Sequence, residues 1–184
     1  MIELIGAIAT LLCVVLLNVK NVWGWPVGII AAGLYTLVFI KSDLYGQVFL
    51  QFIFIGQSIY GWWYWKRGDS DVNVTRLGES KVFYKGVYFT IVFVLVFLTQ
   101  PDWGLENRIH GLDFYCLFLA LWANYLLSKK VLESWLIWIV CDIFMIILMG
   151  SQELWWSVGL YLLLLINATN AFMSWRNDLQ NRGV

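Results

Sequence analysis

Charge is scarce in this sequence. Twelve Lys and Arg balance twelve Asp and Glu among 184 residues, 13% in all, against 61% hydrophobic residues. A water-soluble domain carries about 25% charged residues, so a soluble globular fold is excluded. A formal net charge of zero supplies no basic surface for nucleic acid. Histidine occurs once, at His110 in a polar stretch, which reads as a solvated loop position rather than a metal ligand or proton relay. Cys13, Cys116 and Cys141 lie in apolar runs without Cys-x-x-Cys spacing, so neither a disulfide frame nor a zinc site is expected. No Gly-x-x-x-x-Gly-Lys is present to cradle a nucleotide, and no Ser or Cys stands in a nucleophile frame with a histidine. No catalytic residue, metal or cofactor is expected, and an intramembrane enzyme has no chemistry to work with.

What the sequence has is long apolar runs. A spanning helix needs about 20 mostly apolar residues, and seven stretches qualify: 3–19, 25–41, 44–65, 82–100, 112–128, 133–150 and 154–175. Trp and Tyr cluster at their ends, at Trp23, Trp25, Tyr45, Trp62 to Trp65, Trp135, Trp155, Trp156 and Trp175, where interfacial belts place them. The first run lacks a basic leader and is followed by more spans, so it is expected to be retained as a helix. Gly24 and Gly28 have the Gly-x-x-x-Gly spacing of close helix packing.

The pattern repeats at an offset of 110 residues. Leu16, Leu17 and Lys20 fall on Leu126, Leu127 and Lys130; Trp25 falls on Trp135; Gln57 falls on Asn167; Trp65 and Lys66 fall on Trp175 and Arg176. The repeating unit is three spans, and two such units run parallel only if an odd number of spans separates them. The expected fold is therefore an all-α membrane protein of seven transmembrane helices in a 3+1+3 arrangement. Its parts are a first bundle over 1–66, a linker region with the fourth span over 67–111, a second bundle over 112–176 and a tail over 177–184. Proteins built from two like units bind solute between them near the bilayer midplane, which implies a transporter. The alternative from another class is a non-transporting membrane scaffold subunit.

Basic residues set the orientation. On the side opposite the N-terminus lie Lys20, Lys66, Arg67, Arg76, Lys81, Lys85, Lys129, Lys130, Arg176 and Arg182, leaving Lys41 and Arg108 on the other. Basic loops stay cytoplasmic, so an external N-terminus and a cytoplasmic C-terminus are expected.

Polar groups inside spans are costly and mark cavities or interhelical contacts. The third span carries Gln47, Gln51 and Gln57, the fifth Trp122 and Asn124, the sixth Trp138 and Asp142 on one face, and the seventh Asn167 and Asn170. Amides read hydrogen-bonding edges, indoles stack on a ring or cation, and Asp142, the one carboxylate well inside a span, offsets positive charge. These nine residues are the candidate solute site. No row of acids or histidines suggests ion coupling.

The segment from Trp25 to Trp65 resembles the PnuC family of vitamin transporters. The resemblance rests on the Trp25-Pro-x-Gly start, the Leu44-Tyr45 and Leu50-Gln51 pairs, and Ser58-x-Tyr-Gly-Trp62. Glu133-Ser-Trp135, Trp138, Asp142 and Trp175-Arg176 extend it across the second half. It implies a SWEET-like fold in a bacterial inner membrane and facilitated diffusion of a water-soluble vitamin, trapped inside by a cytoplasmic kinase. Family branches take nicotinamide riboside, thiamine or riboflavin. Gln47 and the Ala123-Asn124 pair depart from the nicotinamide riboside branch, which tilts the expectation toward thiamine.

Overall fold

Apolar segments in lipid must satisfy their backbone polar groups internally, and helices do so within each segment. The computed structural model describes residues 2–41, 45–67, 74–77, 88, 90–92, 105–151, 153 and 155–181, with the side chains of 45–47, 105–110 and 156 outside that description. Among the described residues six helices are complete: α1 (Ile2–Asn18), α2 (Gly24–Lys41), α3 (Tyr45–Arg67), α4 (Leu105–Ser128), α5 (Ser134–Ser151) and α6 (Trp155–Asn181). They answer to the first three and last three expected spans. The expected fourth span lies outside the described residues except for helical positions at 88 and 90–92. Four stretches, Gly24–Lys41, Gly111–Ser128, Ser134–Ser151 and Ser157–Asn181, are long and apolar enough to cross a membrane, and α1 is apolar but shorter.

Two helices overrun their expected bounds. The helix α4 starts at Leu105, so His110 sits in a helix rather than a loop; Leu105, Glu106 and Arg108 are good helix formers that carry the helix outward. At the other end of the chain, α6 continues to Asn181. Its last turns are held there by Leu179 packing on the core and by Asp178 pairing with Lys20.

The turns after α1 and α4 are built alike. Lys20 and Lys130 adopt φ of 59° and 54°. Asn21 donates to the Leu16 carbonyl at 2.8 Å, and Val131 to the Leu126 carbonyl at 3.1 Å. Both are Schellman closures, with a lysine where glycine is usual.

Helix α2 packs on α1 and α3, α5 packs on α4 and α6, and the two sets meet at an α3–α4 seam and an α1–α6 seam. Small residues permit the close approaches. A Cβ on Gly24 would stand 2.7 Å from the Leu17 side chain, and one on Gly61 would stand 2.6 Å from the Trp25 indole. A core of Leu17, Trp25, Trp65, Val74, Leu127, Leu132, Trp135, Ala168, Ala171 and Trp175 gathers the ends of α1, α3, α4 and α6 with the starts of α2 and α5. The C-terminal ends of α3 and α4 therefore lie together, and these helices run in the same direction.

Four tryptophans assigned to the interfacial belt lie instead in this core. Trp25, Trp65, Trp135 and Trp175 are 0–5% exposed, whereas Trp23 and Trp155 are 63% and 68% exposed as a belt residue would be. The reason is ring-on-ring packing. Trp25 meets Trp65 edge-on at 5.4 Å and 87°, and Trp135 meets Trp175 at 5.5 Å and 87°.

Candidate functional site

The two seams share one bond across the 110-residue offset and carry similar amide pairs at different positions. At the α3–α4 seam the Trp65 indole N–H donates to the Ser128 carbonyl at 2.9 Å; at the α1–α6 seam Trp175 donates to the Asn18 carbonyl at 2.7 Å. Asn124 Nδ2 donates to Gln57 Oε1 at 2.9 Å, and Gln57 Nε2 donates to the Leu121 carbonyl at 3.1 Å. In the other seam Asn18 Nδ2 donates to Asn167 Oδ1 at 3.1 Å, and Asn167 Nδ2 donates to the Val14 carbonyl at 3.4 Å. Lys130 Nζ stands 4.7 Å from the Trp65 ring centroid and Lys20 Nζ 5.9 Å from that of Trp175.

Three candidate site residues, Gln57, Asn124 and Asn167, thus engage helices across the seams. A second group lies on α4 and α5. Trp122 and Trp138 both pack against a cluster of Tyr115, Cys116, Leu119 and Cys141, and Trp122 is tilted on Phe118 with centroids 6.0 Å apart. Among the described residues the buried indole nitrogens of Trp122, Trp25 and Trp135 have no hydrogen-bond partner. Asp142, one turn beyond Trp138 on the same face of α5, is 3% exposed.

The remaining candidates stand apart. Gln51 is half-buried and Asn170 lies on an exposed side of α6; neither joins the two groups by a hydrogen bond among the described residues. Gln47 falls in α3, with its side chain outside the described residues. Sequence reasoning missed Asn18, for which a signal existed, because the offset places it on Ser128, a polar position matching a polar one.

Two like three-helix sets in apolar helices, joined by mirrored polar seams, define a small multi-pass membrane carrier. Residues 1–177 match the family described as "Nicotinamide mononucleotide transporter", and the chain belongs to that family, the PnuC family of vitamin transporters; it is a membrane transporter and not an enzyme. Among its relatives, the "Nicotinamide riboside transporter PnuC" of Escherichia coli (strain K12) is 26% identical over 99% of this chain and 87% of its own length. The "Riboflavin/roseoflavin transporter RibM" of Streptomyces davaonensis is 23% identical over 77% of this chain and 68% of its own. The solved structure described as "Crystal structure of the Vitamin B3 transporter PnuC" has a TM-score of 0.72 over 98% of this chain and 82% of that one, at 20% identity. That likeness establishes a shared fold.

Proposed function

We propose that this chain is a uniporter for nicotinamide riboside, in a 3+1+3 arrangement whose two three-helix bundles alternate in exposing a central site. The observation that carries the reading is the group around α5: two indoles, one of them with a buried N–H that has no partner among the described residues, and a buried carboxyl one turn along α5. Such a group suits a flat cationic ring, stacked on aromatic faces and balanced by one acid, with a ribosyl oxygen to accept from Trp122. Gln47, Gln51, Asn167 and Asn170 are the amides available to the sugar and carboxamide, while Gln57 and Asn124 hold each other across the α3–α4 seam.

Charge supports a nucleoside over a nucleotide. Every described Lys and Arg in a helix, namely Lys41, Lys66, Arg67, Arg108 and Arg176, lies toward a helix end, so none of these stands at mid-depth to pair with a phosphate, and Asp142 would repel one. Thiamine, with its own cationic ring, fits the same chemistry, but the relatives' names give nicotinamide riboside and riboflavin. A facilitated route needs neither a motor nor an ion relay, and net retention would then fall to a cytoplasmic kinase. The ten-to-two asymmetry of basic residues supports an inner-membrane protein with its C-terminus in the cytoplasm.

Titration of the purified protein's tryptophan fluorescence tests the substrate. Nicotinamide riboside is expected to quench saturably, riboflavin and thiamine more weakly, and nicotinamide mononucleotide not at all. Tight binding of the mononucleotide, or of thiamine above the riboside, would overturn this assignment.

A further inference from the structure

The two seams share the tryptophan-to-carbonyl bond and differ in what backs them. Behind the α3–α4 seam the chain leaving α3 returns to the same end of the molecule. Val74 is buried in the core beside Trp65. Thr75 donates to the Lys130 carbonyl at 3.0 Å and accepts from the Leu132 N–H at 2.9 Å, and the Leu77 N–H donates to the Glu133 carboxylate at 2.9 Å. Residues 74–77 thus strap α3 to the turn between α4 and α5 through backbone hydrogen bonds.

Behind the α1–α6 seam stands an ion pair, Lys20 with Asp178, whose side chains are 26% and 40% exposed. Exposed pairs of this kind contribute little. Among the described residues no chain segment lies across α1 and α6 as 74–77 does across the other seam. The amide bonds of this seam are longer, 3.1 and 3.4 Å against 2.9 and 3.1 Å, although its tryptophan bond is shorter, 2.7 Å against 2.9 Å.

We propose that the α1–α6 seam is the cytoplasmic gate of the transport cycle and that the α3–α4 seam, strapped by residues 74–77, is its hinge. This inference rests on the transport reading above. Opening separates Asn18 from Asn167, Trp175 from Asn18 and Lys20 from Asp178, each at the C-terminal end of α1 or just beyond it, where water can replace the lost partner. The equivalent bonds of the other seam persist, so the two bundles rotate about α3 and α4 rather than coming apart, as hinge closures do.

The test uses cross-links in the full chain after Cys13, Cys116 and Cys141 are replaced by alanine. One variant carries Lys20→Cys with Asp178→Cys, the other Thr75→Cys with Val131→Cys; neither pair touches the candidate ligand groups. A short bifunctional thiol reagent bridging positions 20 and 178 is expected to abolish uptake of nicotinamide riboside reversibly, with recovery on reduction. A bridge between 75 and 131 is expected to leave uptake at its uncross-linked rate. Uptake that survives the first bridge, or falls equally with the second, would overturn the assignment of gate and hinge.

A substrate-free measurement separates this proposal from the transport reading. Ala168→Cys in α6, beside Asn167 and 2% exposed, is labelled from the C-terminal side by a membrane-impermeant maleimide. Labelling is expected, suppressed by the 20–178 bridge and indifferent to the 75–131 bridge. Failure of the uncross-linked protein to import any vitamin would sink the transport reading, while absent or bridge-independent labelling would sink the gate.

Discussion

Trp25 lies flat against the backbone at Gly61, and that contact makes the glycine a packing requirement. A methyl group there would stand 2.6 Å from three indole carbons, and neither helix can yield without disturbing the Trp25–Trp65 pair. Gly61→Ala is expected to destabilise the protein by about 1–3 kcal/mol, read as a lowered thermal midpoint in detergent. An unchanged midpoint would mean that α2 and α3 pack less closely than described. At the substrate group, Trp122→Ala and Trp138→Ala are expected to weaken nicotinamide riboside binding by roughly ten- to hundredfold, the equivalent of about 1–3 kcal/mol. Parental affinity in both variants, provided they remain monodisperse, would move the site elsewhere. Trp122, Trp138 and Asp142 could be singled out from sequence because they are polar or aromatic deep in apolar runs. Burial of Trp25, Trp65, Trp135 and Trp175 could not, since a tryptophan near a helix end reads alike whether it faces lipid headgroups or a neighbouring ring.

Helices were legible wherever apolar length was decisive, and the turns between repeated helices matched because both halves carry the same Leu-Leu-x-x-Lys closure. Partnership between helices was less legible. The offset identifies Gln57 and Asn167 as equivalents; it does not say that each bonds a different asparagine, Asn124 in one case and Asn18 in the other. That information resides in which helices meet at the seams, a tertiary fact. Equivalence of the seams has a direct consequence for stability. Trp65→Phe and Trp175→Phe each keep the aromatic ring and remove one indole-to-carbonyl hydrogen bond, so each is expected to cost about 1 kcal/mol. Chemical or thermal denaturation of the two variants should give similar losses. A large loss in one and none in the other would break the structural repeat at its most specific contact.

At the scale of the molecule, the basic residues and the aromatic core occupy the same end. Lys20, Lys66, Arg67, Lys129, Lys130 and Arg176 border the tryptophan core, the end that the positive-inside rule expects to face the cytoplasm. A reporter fused after Val184 is expected to behave as cytoplasmic and one placed before Met1 as external; the reverse would invert the gate. Doubling of the three-helix unit was readable from the offset alone, whereas the choice of vitamin was not. Departures at Gln47 and Asn124 pointed to thiamine, yet Asn124 is engaged with Gln57 across a seam, so its identity reports helix pairing as much as ligand.

The most direct test of facilitated transport is uptake of labelled nicotinamide riboside by proteoliposomes that contain no kinase. With proton and sodium gradients collapsed, uptake is expected to be saturable and to stop when the inside concentration equals the outside. Accumulation above the outside concentration that disappears with an uncoupler, or no protein-dependent uptake at all, would contradict it.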